Sequence, residues 1–201
     1  MPTREKFLPE KFYHIYNHAV GSDDLFKSHE NYLFFLNKYD KYLFPIFKTY
    51  AYCLMPNHFH LLIQVRSEQT IAELLTREDD ADLHKLIMQR FSNFLNSYAK
   101  AFNNQQSRRG ALFVDFTKRK EITNENYFTK VINYIHQNPV NHGFCMEAQD
   151  WLYSSFNSII STNKTSKLER NIIFDWFGGI EKFISFHKEN RYFDGEIDSL
   201  T

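Results

Sequence analysis

The chain has 201 residues with 24 basic and 24 acidic side chains, so a protein that binds nucleic acid through its overall charge is excluded and any basic surface must be local. Aromatic residues make up 17% of the sequence, which supplies enough apolar surface for one compact core. Cys53 and Cys145 lie far apart and match neither a disulfide framework nor a zinc knuckle, as expected for reduced thiols. No apolar run has the length of a signal peptide or a membrane span, so we expect a cytoplasmic protein without membrane contact.

The first elements in chain order are a predicted strand and a predicted helix. Aromatic and branched residues dominate positions 12–20, and a turn begins at Gly21, which is typical of a strand followed by a reversal. Between residues 28 and 44 the apolar side chains recur at helical spacing, and Pro45 closes this segment.

A hairpin is predicted next. Residues 46–54 have the composition of a second strand, and Met55-Pro-Asn is a tight connection to a third strand that begins at His58. The second and third strands are therefore expected to pair antiparallel.

The middle of the chain predicts more helix and a fourth strand. Helical spacing extends from Thr70 to Asn104 in two pieces, and the acidic residues 78–82 mark the break between them. A flexible basic loop at residues 103–110 precedes residues 111–116, which have the composition of a strand.

This order of elements predicts the fold class. A strand, a helix, two strands, helices and a further strand form an α+β ferredoxin-like sandwich, with a central antiparallel sheet and helices on one face. We expect residues 1–157 to form this domain and residues 158–201 to form a small helical C-terminal extension.

The most informative short motif is His58-Phe-His60 on the predicted third strand. Because side chains alternate across a strand, the two imidazoles project from the same face while Phe59 projects from the other. Neutral imidazole is a common ligand of divalent metals, and a metal held by two histidines keeps positions open for substrate oxygens. Two incidental histidines on a strand are the alternative interpretation.

A second chemical pair lies on the last helix of the predicted domain, from about Asn124 to Gln137. Tyr134 and Asn138 are four residues apart, so a phenolic oxygen and an amide oxygen face the same side of a helix end. Pro139 disfavours the helical conformation at Asn138, so we expect the helix to end before it. A half-buried packing tyrosine is the simpler interpretation of Tyr134 considered by itself.

These motifs resemble a known family. Residues 52–63, which contain His-Phe-His, are similar to the HUH signature of single-tyrosine transposases, and residues 134–140 resemble the tyrosine helix of their REP-associated branch. The similarity extends over nearly the whole chain. It includes the opening strand at residues 12–17, basic segments at 108–113 and 116–119, an exit segment at 151–155 and a tail at 176–183.

The resemblance implies an enzyme that cuts and rejoins single-stranded DNA, often beside a hairpin or inverted repeat, through a covalent 5′-phosphotyrosine. By position it implies that Tyr134 is the nucleophile and that His58, His60 and Asn138 are metal ligands. The chemistry is consistent, because a phosphodiester repels an incoming phenolate and a divalent cation offsets that charge. Family members differ in oligomeric state, so a monomer and a homodimer both stay open.

Metal identity follows from the proposed ligands. Two imidazoles and an amide oxygen, with open positions for phosphate oxygens and water, suit Mg²⁺ or Mn²⁺. Mn²⁺ is the better match to nitrogen ligands, and zinc is a further candidate in vitro.

A local basic patch lies between Lys100 and Lys120, where Asp115 is the single acidic residue and the excess of positive charge is five. The residues expected to guide a DNA backbone are Arg108, Arg109, Lys118, Arg119 and Lys120. An ordinary solvated surface is an equal alternative for this patch.

Other polar residues are candidate neighbours of the site. His14, His18, His136 and His142 are in this group, although a structural or surface role is the simpler interpretation of each. Asn17 and Asn57 are candidates for ordering loops near the site.

Three functional hypotheses follow. We favour a metal-dependent DNA transposase. The second is a catalytically inactive regulator of the same fold that binds a DNA hairpin, and the third is a metal hydrolase unrelated to DNA. A protein–DNA adduct separates the first hypothesis from the other two.

Overall fold

The computed structural model describes residues 5–75 and 82–191. In chain order the elements are β1 Phe12–His18, α1 His29–Leu43, β2 Phe47–Met55, β3 His58–Val65, α2 Glu68–Leu75, α3 Leu83–Gln105, β4 Lys118–Ile122, α4 Glu125–Asn141, a 3₁₀ turn Ala148–Asp150, α5 Phe156–Ile160, α6 Arg170–Phe177 and α7 Ile180–Glu189. Of the predicted acidic break, residues 78–81 lie outside the described residues, and Asp82 accepts a hydrogen bond from the Lys85 backbone at the start of α3. Within the described ranges, no helix combines the length and apolar character needed to cross a membrane.

The strands form one sheet in the order β2-β3-β1-β4, and every neighbouring pair is antiparallel. The hairpin between β2 and β3 is present with Met55 opposite His58, as predicted. The α+β class and the central antiparallel sheet of the ferredoxin-like plan are therefore confirmed.

The helices, however, cover both faces of the sheet, so the prediction of helices on one face is wrong. Phe59, Leu61 and Ile63 of β3 share a core with α1 and α3. Leu62 lies on the opposite face and shares a second core with Ile135 of α4. Side chains alternate between the two faces of a strand, and apolar side chains occur on both faces of this sheet. Each face therefore has to be buried against helices.

The last three helices join that second core. Ile159 of α5, Ile173 of α6 and Phe183 of α7 are buried in the same cluster as the apolar side of α4. They therefore extend the apolar packing around α4.

The fourth strand is not where the sequence predicts it. Residues 111–116 contribute only the isolated bridge between Phe113 and Ala19, whereas β4 is Lys118–Ile122. Phe116 has a φ of 68°, a left-handed conformation that interrupts the pairing with β1. The prediction chose residues 111–116 because their composition is apolar. The strand that forms carries charged residues instead, which an edge strand tolerates.

Helix α4 also extends further than predicted, because Pro139 lies inside it. Proline removes one backbone donor and crowds the preceding turn. The helix nevertheless continues, with hydrogen bonds from His142 N to Asn138 O at 3.0 Å and from Phe144 N to Pro139 O at 2.8 Å. Asn138 consequently stays helical, one turn after Tyr134.

Candidate active site

The candidate site lies on the sheet face covered by α4. His58 and His60 project from β3, and the antiparallel register places Tyr16 opposite His60 and His18 opposite His58. His14 lies on the same face of β1, and its Nε2 is 3.0 Å from Nδ1 of His60. Two adjacent strands thus contribute a row of imidazoles and a phenol to one surface.

Helix α4 crosses this surface and adds Tyr134 and Asn138. The amide oxygen Oδ1 of Asn138 lies 2.8 Å from Nε2 of His58, and its amide nitrogen lies 3.3 Å from Nε2 of His60. The ring centroid of Tyr134 is 5.5 Å from that of His60, in an edge-to-face arrangement. The structure therefore brings together His58, His60, Tyr134 and Asn138, the four residues that the motifs single out.

Hydrogen bonds on the far side of each imidazole orient its Nε2 toward Asn138. Nδ1 of His58 lies 2.7 Å from Oδ1 of Asn57, and Nδ1 of His60 faces His14. Histidines that bind metals generally donate Nδ1–H to such a partner, which leaves Nε2 with its lone pair. Asn57 thus orders the site, as its position in the sequence suggests.

The contact between His58 and Asn138 fits a cation. With Nδ1–H of His58 donated to Asn57, its Nε2 carries a lone pair that faces Oδ1 of Asn138, which is also an acceptor. Their spacing of 2.8 Å is close to the ~3.0 Å between adjacent ligands of an octahedral cation at about 2.1 Å. His58, Asn138 and His60 are the residues that can hold such an ion.

Burial keeps these imidazoles neutral. It lowers the pKa of His58 to about 4 and that of His14 to about 3, and it holds the pKa of His60 well below its ordinary value. Neutral imidazoles offer their lone pairs at physiological pH without first losing a proton.

The candidate ligand set contains an amide in place of a carboxylate or a third imidazole. In the described ranges, no group of three or more His, Cys, Asp or Glu side chains has an arrangement that could hold a metal ion. A cation held by His58, His60 and Asn138 would have an amide oxygen where a carboxylate is common, so the site would be less negative.

Two of the other candidate histidines flank the site. The ring of His18 stacks on His58 with a centroid distance of 4.8 Å, and the ring of His142 lies 5.3 Å from His58. His136 is not in the site, because its Nδ1 pairs with Nε2 of His187 at 2.9 Å and its Nε2 pairs with Oγ of Ser155 at 2.7 Å.

The five basic residues predicted to bind DNA do not form one surface. Lys118 and Lys120 pair with Tyr16 and His14, so both lie on the site face of β4, and both are exposed. Arg119 projects to the other face, where its guanidinium lies over the ring of Phe7 at 4.6 Å.

The two loop arginines also differ from each other. Arg108 forms an ion pair with Asp23 at 2.5 Å and donates to the carbonyl oxygen of Ala111, so its side chain ties two loops together. Arg109 is exposed.

From the sequence, His14 is only a candidate neighbour of the site, and Tyr16 is not named as a candidate. The signal that points to them is alternation on β1, where His14-x-Tyr16-x-His18 has the same period as His58-x-His60. These side chains lie beside those of His58 and His60 only because β1 pairs with β3.

Comparisons with known proteins agree with the motifs. No protein-family model matches the chain. A curated protein of Haemophilus influenzae named "Putative REP-associated tyrosine transposase" is 29% identical over 115 residues, which span 55% of this chain and 60% of that protein. The match thus covers less than two thirds of the relative.

A solved structure has the same fold. It is described as "Structure of the REP associates tyrosine transposase bound to a REP hairpin", is 15% identical, and superposes with a TM-score of 0.61 over 83% of this chain and 89% of that chain. The resemblance to REP-associated tyrosine transposases that the motifs indicate is therefore confirmed in sequence by the first relative and in fold by the second.

Proposed function

We propose that this chain is a REP-associated tyrosine transposase that cleaves and rejoins single-stranded DNA through a 5′-phosphotyrosine at Tyr134. The observation that carries the proposal is the position of α4, which brings Asn138 within hydrogen-bond distance of His58 and His60 and the ring of Tyr134 against His60. A phenol beside a set of neutral nitrogen and oxygen ligands supports this chemistry, because a cation held there would activate the phosphate for attack by tyrosine.

His58, His60 and Asn138 would hold a divalent cation, Mg²⁺ or Mn²⁺. Such a cation, when bound, neutralises charge on the non-bridging oxygens of the scissile phosphate. His14 and Asn57 fix the ring orientation of the two histidines through Nδ1, so the ligand nitrogens are oriented before DNA arrives.

Tyr134 supplies the nucleophile. Its phenolic oxygen forms a bond to phosphorus while the bond from phosphorus to the 3′ oxygen breaks, and the phenolic proton passes to solvent. The departing 3′ oxygen takes up a proton and becomes a free hydroxyl. Attack by a 3′ hydroxyl on the phosphotyrosine reverses these bond changes, so the strand is rejoined without an external energy source.

The DNA partner would be a hairpin with a single-stranded flank. The solved structure with this fold is described as bound to a REP hairpin. In this chain Lys118 and Lys120 place positive charge on the sheet face that carries the histidines, where the phosphates of the flanking strand would pass.

An assay for covalent capture tests this proposal. The wild-type chain and the Tyr134→Phe variant are incubated with Mn²⁺ and labelled single-stranded DNA containing the inverted repeat nearest its gene, and the products are separated on a denaturing gel. We expect a metal-dependent adduct with the wild type and none with Tyr134→Phe, while both bind the DNA.

The controls separate the remaining hypotheses. Tyr16→Phe removes the other phenol beside His60, at a centroid distance of 5.7 Å, and should leave the adduct intact. DNA binding without an adduct under every metal condition favours the hairpin-binding regulator, and neither DNA binding nor an adduct favours the metal hydrolase unrelated to DNA.

A further inference from the structure

One exposed aromatic residue at the edge of the candidate site has no role in the chemistry above. Phe116 exposes 65% of its surface, although aromatic side chains dominate both cores of this protein. It also has a φ of 68°, a left-handed conformation that is unfavourable for a bulky side chain. Such strain costs free energy and persists where the surrounding structure enforces it.

Hydrogen bonds from β1 fix the segment that carries Phe116. Val114 N donates to His18 O at 2.9 Å, and the buried side chain of Asn17 donates to Oγ1 of Thr117 at 3.0 Å. The chain is therefore anchored on both sides of Phe116, which fixes the place on the surface from which its side chain projects. This also gives the buried Asn17 the loop-ordering role that its sequence position suggests.

That place adjoins the candidate active site. His18, whose backbone anchors the segment, stacks its ring on His58 at 4.8 Å. Lys118 follows Phe116 by two residues and lies opposite Tyr16 on the site face, with Lys120 next along the same face. An exposed ring and two cations thus succeed one another along the edge of the sheet beside the histidines.

We propose that Phe116 is a stacking platform for an unpaired base of the DNA strand that enters the site. Proteins that hold single strands combine cations along the backbone with aromatic faces on which bases stack, and stacking tolerates any base. Phe116 provides the aromatic face, while Lys118 and Lys120 attract the phosphates. The proposal rests on the proposed function only in taking single-stranded DNA as the ligand.

The test compares two strands that carry the same phosphates. Affinities of the full-length protein for oligothymidylate and for an abasic strand of equal length are measured by fluorescence anisotropy, with a chelator present so that no cleavage occurs. The wild type should prefer the strand with bases. Phe116→Gly, which removes the ring and accommodates the positive φ, should weaken binding of oligothymidylate roughly tenfold and leave binding of the abasic strand within about twofold.

Further variants make the outcome decisive. Phe116→Trp keeps an aromatic face and should keep the preference for bases, whereas Leu33→Ala removes an exposed apolar side chain from α1, on the other side of the sheet, and should change neither affinity. The ratio of the two affinities does not depend on how much of a variant is folded. The proposal is overturned if Phe116→Gly keeps the wild-type ratio, or if the wild type binds both strands equally.

Because this assay needs neither metal nor cleavage, its result is independent of the adduct assay. A missing adduct with a base preference that depends on Phe116 would reject the cleavage chemistry and retain the platform. An adduct with no such preference would do the opposite.

Discussion

Oδ1 of Asn138 lies 2.8 Å from Nε2 of His58, although the two residues are separated by 80 positions in the chain. The contact exists because α4 packs across β3 and because the helix continues through Pro139. It joins the late helix to the histidine strand in one possible cation site.

Replacing Asn138 should therefore change metal binding. We expect Asn138→Ala to weaken Mn²⁺ binding at least about tenfold, because one oxygen ligand is lost. Asn138→Asp should bind Mn²⁺ more tightly than the wild type, since a carboxylate adds negative charge. The free Mn²⁺ signal in electron paramagnetic resonance measures both. Asn96→Ala, an exposed asparagine on α3, is the control, and equal affinity for wild type and Asn138→Ala would argue against this ligand set.

The two lysines on the site face should each contribute to phosphate binding. Lys118→Ala and Lys120→Ala are each expected to lower the slope of log affinity against log salt by about 0.7 for single-stranded DNA. A salt titration of DNA binding measures the slope. Lys41→Ala, on α1 and away from this face, should keep the wild-type slope. Wild-type slopes for both β4 variants would place the DNA elsewhere.

Arg108 should behave differently, because its guanidinium is engaged in an internal ion pair with Asp23. We expect Arg108→Ala to lower the free energy of unfolding by about 1–2 kcal/mol through lost charge-assisted hydrogen bonds, discounted for the partial exposure of Asp23. Urea denaturation measures this change. The salt slope of DNA binding by the folded variant should stay as in the wild type, and a reduced slope without loss of stability would assign Arg108 to DNA instead.

The buried pair His136 and His187 should make the fold sensitive to acid. Burial lowers the pKa of His187 to about 4 and that of His136 well below its ordinary value. An unfolded chain takes up these protons near pH 6.5, so it binds more protons than the folded chain at lower pH. The contribution of this pair to the free energy of unfolding is complete above about pH 7. At pH 5.5 the free energy of unfolding should be lower by about 1.4 kcal/mol for each histidine.

His187→Gln removes one of the two histidines that take up a proton when the chain unfolds. Its free energy of unfolding should therefore decline less steeply than that of the wild type between pH 7 and pH 5.5, whereas His29→Gln, which changes an exposed histidine, should follow the wild type. Urea denaturation at several pH values measures the difference. Identical pH dependence of wild type and His187→Gln would show that burial of His187 does not cause the sensitivity.

Local patterns were sufficient to predict much of this fold. Alternation at His58 and His60 predicts their shared face, and Met55-Pro-Asn predicts the hairpin, because both depend on neighbours in the sequence. Predicting β4 required tertiary information. Its charged residues gain strand structure only by pairing with β1, whereas the apolar residues 111–116 are diverted by the left-handed Phe116.

The candidate site, like the fold, could be predicted where neighbours in the sequence determine it and not where tertiary contacts do. The spacing of Tyr134 and Asn138 predicts a common side of α4, but nothing local indicates that Asn138 reaches His58 or that His14 supports His60. Arg108 and Arg119 also show why a basic patch in the sequence differs from a basic surface, since partners elsewhere in the chain engage both. The division at residue 158 stays a prediction.

The central claim is that the oxygen of Tyr134 forms the covalent bond to DNA. Its most direct test is tandem mass spectrometry of the wild-type adduct after digestion of protein and DNA, which locates the modified residue. We expect a nucleotide joined through its 5′ phosphate to Tyr134. A nucleotide on Tyr16 or on any other residue, or a 3′ linkage, would contradict the claim.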